Sequence, residues 1–228
     1  MEKLIYLLGE AEAGAVPRAR VDLRNALLET APRLLEAGAK RTSISVADLD
    51  DADADRVPQF NTSGLIDAAV SLWLESVDQR QEIEAVLSPL AKRWSGYLVT
   101  ESVPRAGPAP RLGERQPGVA LVTTFPKPER LDDATFYTRW HDSHTPLSLE
   151  IHPLLRYNRN SVARSLTPGA APLHAIVSEA VSSTAVAADP IAFFGSESNR
   201  ARAVKDLLSF VDFETLSVAL MSEYVLIP

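Results

Sequence analysis

The chain of 228 residues contains no cysteine. That excludes a disulfide framework, a thiolate nucleophile and a cysteine-ligated zinc, and it suits a reducing, cytoplasmic setting. Lysine and arginine are nowhere clustered and the formal net charge is -7, so nucleic acid is not an expected partner. No apolar run is long enough to cross a membrane. The N-terminal run in MEKLIYLLGEAEAG has acidic flanks unlike those of a secretory signal and reads as a first strand. Also missing are the GxSxG elbow, the phosphate-binding loop, the dinucleotide glycine pattern and HExxH. The reading therefore includes no cofactor and no metal.

What is present is an ordinary folded composition, 46% hydrophobic and 23% charged, with proline and glycine concentrated in PRAGPAPRLGERQPG. Missing amide donors and a permissive backbone make that stretch a linker. It separates residues 1–104 from 118–228, with 105–117 between them. The two sides repeat faintly: LIYLL matches ALVTT, and LVTESV matches LMSEYV. In the second half the patterns predict a helix over 133–143, strands over 155–163 and 173–181, and a helix over 199–208. In the first half the corresponding stretches are 19–36, 42–47, 65–74 and 78–87. With the end strands this spells βαββαβ twice, an α+β arrangement of two ferredoxin-like repeats. Each such sheet leaves one face bare. Two sheets in one chain can close on each other as an intrachain dimeric α/β-barrel, with a hollow between them.

The second half holds FYTRWHDSHTPLSLEIHP, with three of the chain's four histidines. Phe136, Trp140 and His144 recur at spacings of four, one stripe of a helix that Asp132 or Asp133 can cap. Thr145-Pro146 then reads as a stop and a new start. Phe136, Trp140, His144, Pro146, Leu147 and Tyr157, with Glu179 on the second inner strand, resemble the pattern of the EthD-like group of the dimeric α/β-barrel superfamily. The resemblance covers about 118–228. In the first half only IDAAVSLWLES is similar, with Asp67 and Trp73 in matching places. Aligning Pro32 with Pro146 sets Thr30 opposite His144 and Ala26 opposite Trp140, and the strand alignment sets Ser71 opposite Glu179. The chain thus reads as a fused pseudo-dimer with one family-like pocket, monomeric or paired further as a homodimer.

Each candidate residue has two readings. His144 is either a general acid/base at the edge of an apolar cavity or a helix-end side chain bonded to backbone. Glu179, a carboxylate in the apolar strand AIVSEAV, faces inward with a partner or a shifted pKa, or outward with neither. Tyr157 offers its hydroxyl to a ligand or packs in the core. Phe136 and Trp140 fill the core or wall a cavity, and Leu147 joins them as a substrate-binding candidate through the resemblance. His141 is expected to face solvent, and His174, at the beginning of a strand, to be an ordinary surface or strand-end residue. His141, Asp142, His144 and His152 lie near one another in sequence, but Pro146 makes their geometry irregular for a metal. The run DLDDADADR has Asp51, Asp53 and Asp55 at calcium-loop spacing, but Arg56 and Thr62 stand where glycine and glutamate belong, leaving a solvated loop.

Two functions follow. One is a cofactor-independent lyase, cyclase or isomerase in which His144 moves a proton on a small apolar carbonyl or phenolic compound, with Glu179 or Tyr157 orienting it or sharing the proton transfer. The other is a noncatalytic binding or accessory protein of a catabolic pathway. Both take a small apolar or aromatic ligand. Haem binding, known in other branches of the superfamily, would need His144 or His152 as proximal ligand.

Overall fold

The computed structural model describes residues 1–9, 17–50, 52–57 and 66–227. Its strands are β1 (Glu2–Gly9), β2 (Arg41–Val46), β3 (Ala68–Leu74), β4 (Arg93–Arg105), β5 (Val119–Phe125), β6 (Arg156–Ser165), β7 (Ala175–Val181) and β8 (Ser217–Ile227). All pairings between them are antiparallel, and they close a barrel in the order β1-β3-β2-β8-β5-β7-β6-β4. Within each half the order is that of a ferredoxin-like sheet. The long strands β4 and β8 then cross over: β4 pairs with β6 and β8 pairs with β2. Every edge is consumed in closure, which removes the aggregation-prone unpaired rims of two open sheets. Two ferredoxin-like repeats are fused into one α/β barrel.

Alternation along each strand divides the side chains into two environments. Ile5, Leu7, Tyr97, Val122, Ile176 and Met221 point inward and form the barrel's own core. One end of that interior is charged. Lys3 bonds Glu101 at 2.6 Å, and Arg156 pairs with Glu223. Burial lowers the Lys3 ammonium and raises the Glu223 carboxyl, against the opposing pull of their ion pairs. Buried charges of this kind persist only when paired.

Outward-facing residues pack under helices. In the first half these are α1 (Pro17–Glu29), α2 (Ala31–Glu36) and α3 (Arg80–Leu87). The single helix expected over 19–36 breaks at Thr30 because Pro32 cannot donate to the preceding turn. The Thr30 hydroxyl instead bonds the Leu27 carbonyl at 2.6 Å. Leu4, Tyr6, Leu27, Leu34 and Leu72 fill the space beneath, and the Tyr6 hydroxyl donates to Glu84 at 3.1 Å.

The second half departs from expectation at Thr145-Pro146, which does not stop the helix. Helix α4 (Asp133–Thr138) runs through a π-helical turn, Arg139–His144, into α5 (Thr145–Ile151). Asp132 caps it by accepting from the Thr135 amide at 2.7 Å. In the wider turn the Thr145 amide donates to the Trp140 carbonyl, five residues back, and the Thr145 hydroxyl reinforces that acceptor at 3.0 Å. The changed register is what admits Pro146 without ending the helix. Two short helices not anticipated from sequence follow β7: α6 (Thr184–Ala188) and α7 (Pro190–Phe194). Gly195, left-handed at φ 75°, then turns the chain into α8 (Glu197–Leu207).

The Pro/Gly stretch is ordered. Leu112 and Arg115 bridge to β8 beyond the end of β5, and the Gln116 amide donates to the Glu223 carbonyl at 2.7 Å. Gly118 opens β5 at φ +83°, where an added Cβ would collide with the Val181 carbonyl. Gly118→Ala is therefore expected to cost about 1–3 kcal/mol, read from urea unfolding midpoints; an unshifted midpoint would contradict the strained turn.

Candidate functional site

In the second half, α4 through α8 do not pack flush on the sheet. They leave a cavity of about 290 Å³ lined by Trp140, His144, His152, Tyr157, Glu179 and a group of phenylalanines, among others. It lies on the outer face of the sheet, not in the hollow between two closing sheets where His144 was expected to look. The reason is alternation: Leu121, Tyr157, Val177 and Glu179 belong to the outward set, while the inward set fills the barrel.

Tyr157 and Glu179 are direct cross-strand partners, as are Glu179 and Leu121. Three side chains thus stand in a row on the cavity floor. The first-half register, in which Lys3 opposes Trp73 as Ala120 opposes Ala180, makes Leu72 the counterpart of Glu179. Ser71, the counterpart suggested by sequence, is one residue out of register and faces the barrel interior. The conclusion that only one half carries the carboxylate stands with the corrected residue.

His144 leaves the π-helical turn toward α8. Its Nδ1 lies 2.9 Å from Asp206 Oδ2, and its Nε2 lies 3.3 Å from Ser148 Oγ. Burial works to raise the Asp206 carboxyl, but hydrogen bonds from His144 and from Ser143, whose Oγ donates at 2.6 Å, outweigh it and hold the group below its usual value. Asp206 is a carboxylate, so Nδ1 is the donor and the Nε2 lone pair is left toward Ser148. Ser148, His144 and Asp206 mimic a nucleophilic triad in their contacts. The Ser148 hydroxyl is no nucleophile here, because Ser148 is buried and does not line the cavity.

The Glu179 carboxyl has no hydrogen-bond partner in the protein among the described residues. Burial raises its pKa, and the charge of protonated His144 pulls the other way. Glu179 lines the cavity from a largely apolar floor. Tyr157 is 1% exposed, and burial followed by the nearby Glu179 charge raises its phenol. The Thr145 hydroxyl already donates to Trp140, so the 3.5 Å contact between Tyr157 and Thr145 has Tyr157 as donor. His152 Nδ1 lies 3.1 Å from the Phe193 carbonyl, and burial lowers its pKa to about 4.

Four candidates therefore meet in one cavity: His144, Glu179, Tyr157 and Trp140. Two do not. Phe136 is fully buried behind the wall, stacked edge-on with Phe125 and Phe210. Leu147 is half-buried on α5 and lines nothing. The π-helical turn breaks the simple four-residue stripe, separating a core aromatic from the imidazole. His141 is not solvent-facing: its ring packs on Trp140 at 4.6 Å and its Nε2 is buried without a partner. His174 lies at the start of β7, half-buried beside Phe136. The acidic run ends in a short turn, Ala54–Arg56, and Val57 lines the cavity rather than facing solvent. Asp51 and Thr62 lie outside the described residues. Asp206, Ser148 and Phe193 were missed because nothing local marks them.

Among the described residues no three histidine or acidic side chains gather to hold a metal, and no helix is long and apolar enough to cross a membrane. His144 and His152 both line the cavity. The space does not fit haem, since 290 Å³ is at the lower end of pockets that hold small molecules, about 300–1,000 Å³. A wider depression of about 770 Å³ opens at one barrel mouth beside Leu7, Trp94 and Tyr97, but it holds no histidine and a single carboxylate, Glu214.

No protein-family model matches the sequence, and no curated protein matches it. Solved structures do. An anthrone oxidase-like protein aligns over 98% of this chain and 92% of its own, with TM-score 0.63 and 11% identity. The likeness is one of fold, a closed antiparallel α/β barrel. A dye-decolorizing peroxidase from Bacteroides thetaiotaomicron covers 96% and 92% at TM-score 0.49 and 10% identity. A chlorite dismutase variant from Candidatus Nitrospira defluvii covers 97% and 91%, also at 0.49 and 10%. Identities this low establish fold and nothing about chemistry.

Two measurements check the site. Trp140, 1% exposed among Phe125, Phe136 and Tyr137, should cost about 3–5 kcal/mol of unfolding free energy on replacement by alanine. A soluble Trp140→Ala protein with an unchanged urea midpoint would contradict that packing. Glu179 has a folded pKa above its unfolded one, so its contribution is intact at low pH and is lost as pH rises through the folded value. Glu179→Gln is therefore expected to match the parent near pH 4 and exceed it in stability at pH 8. A gap that does not widen with pH would refute the desolvated carboxyl.

Proposed function

We propose that the protein is a cofactor-independent enzyme that moves a proton on a small, largely apolar aromatic ketone or phenol, with His144 as base and Glu179 as acid. The observation that carries this is the pairing of unlike environments on one cavity: an imidazole held by a carboxylate, and a carboxyl whose pKa burial raises. A carboxyl with a raised pKa is suited to give a proton, and an imidazole oriented through its Nδ1 is suited to take one.

Asp206 holds Nδ1–H, so Nε2 is the basic atom once the Ser148 hydroxyl gives way. A proton on the carbon beside a substrate carbonyl passes to Nε2; the electron pair of that C–H bond forms the carbon–carbon double bond, and the carbonyl π pair moves onto oxygen. Glu179 donates its proton to that oxygen. Where the enol is conjugated to a further double bond, the imidazolium gives its proton to the far carbon as the enol hydroxyl returns its proton to Glu179, which isomerises the substrate; where the same molecule carries a second carbonyl, the enol carbon attacks it, the imidazolium protonates the new alkoxide and the enol hydroxyl proton returns to Glu179, which cyclises it. The phenylalanine walls exclude water and strengthen both polar contacts. Tyr157 is tied to Thr145 and serves to shape the floor. The spacing of Phe136, Trp140, His144, Pro146, Leu147 and Tyr157 supports kinship with EthD-like proteins, with 1–104 and 118–228 as the two repeats and 105–117 as the strap between them.

The test is exchange of the α-protons of tetralone into deuterated water, followed by proton NMR. The parent should exceed buffer, and His144→Ala should lose roughly 100-fold. Asp206→Asn should fall by a comparable factor because the wrong tautomer is then favoured. A protein that binds the ketone without accelerating exchange would be the accessory binder instead. Undiminished exchange in His144→Ala would take the imidazole out of the mechanism.

A further inference from the structure

His152 is the cavity group to which the proposed reaction gives no task. It ends α5 and is 8% exposed, and its ring packs against Phe193 at 4.2 Å and Phe194 at 5.0 Å. The Phe193 carbonyl, 3.1 Å from Nδ1, has no hydrogen to give. Nδ1 must therefore carry the proton, and in a neutral imidazole Nε2 is then an acceptor. That atom has no protein donor among the described residues, and it belongs to a side chain that lines the cavity. Burial, with His144 adding a like charge nearby, keeps the ring neutral by lowering its pKa to about 4. The pocket thus has a second, fixed polar point: an acceptor among phenylalanines, distinct from the acid at Glu179 and the base at His144.

We infer that His152 Nε2 accepts a hydrogen bond from a hydroxyl of the ligand, making the preferred ligand a hydroxylated aromatic ketone rather than a plain or O-alkylated one. An acceptor in an apolar wall loses its hydration when a ligand fills the cavity. A ligand with a matching hydroxyl restores the bond, and one with an ether or hydrogen there leaves the nitrogen unpaired. A neutral acceptor also favours a phenol over its phenolate. The inference rests on this cavity being the ligand site, and it concerns recognition alone.

The experiment is isothermal titration of a hydroxytetralone, with its hydroxyl on the ring carbon remote from the ketone, and of its methyl ether. The parent, His152→Phe, His152→Asn and Asp206→Asn are compared, each first shown to unfold cooperatively. The parent should bind the phenol roughly ten times more tightly than the ether, as expected of one buried hydrogen bond. Asp206→Asn should keep that ratio, whereas His152→Phe should bring it to about one. His152→Asn, whose shorter amide can still donate to the Phe193 carbonyl but cannot place an acceptor at the ring position, should do the same while preserving the fold. Equal binding of phenol and ether by the parent overturns the inference, as does a ratio that survives in either His152 variant. Binding of neither compound overturns the cavity as ligand site as well. A His152-dependent preference without proton exchange would sustain this inference and defeat the catalytic one.

Discussion

Everything in this molecule depends on how its two sheets dispose of their edges. Each ferredoxin-like half alone would expose two unpaired strands and one bare apolar face. Extending β4 and β8 across the seam pairs both edges and turns the bare faces inward as one barrel core. With the inner faces committed to this core, the cavity lined by His144 and Glu179 lies on the outer face of a sheet.

The two outer faces met different fates because a few side chains differ in kind. In the first half Leu72, Tyr6 and Leu34 close the space under the helices. In the second, Glu179 stands at the position of Leu72, and burying its carboxyl under close-packed aliphatics would cost free energy with no bond in return. The helices there stand off instead, roofed by α6, α7 and the Val57 loop of the other half. The barrel itself is tied by the same rule: its interior charges, Lys3 with Glu101 and Arg156 with Glu223, come as pairs.

Much of the fold was legible. The repeated βαββαβ order came from alternating and helical patterns, and each strand seen on both sides of the linker has a counterpart in the barrel. The errors have physical causes. A proline after Trp140 and His144 reads as a helix stop, since the local sequence cannot reveal that a π-helical turn will absorb it. The one-residue misregister that set Ser71 opposite Glu179 arises because two aliphatic strands align equally well either way, although a shift of one exchanges inside for outside. Residues 184–194, too short and mixed for a clear period, gave no helix signal.

Residue type and spacing by themselves determined that this chain forms two α+β halves joined by a Pro/Gly strap, and that His144, Tyr157 and Glu179 belong to one of them. Only the tertiary structure decided what those residues face. Asp206 lies 62 residues beyond His144 and the Phe193 carbonyl 41 beyond His152, separations that chain closure, not local periodicity, brings to hydrogen-bonding distance. The tautomer of an imidazole and the ionisation of a carboxyl are set by such neighbours and by exclusion of water, and neither is a property of the linear sequence.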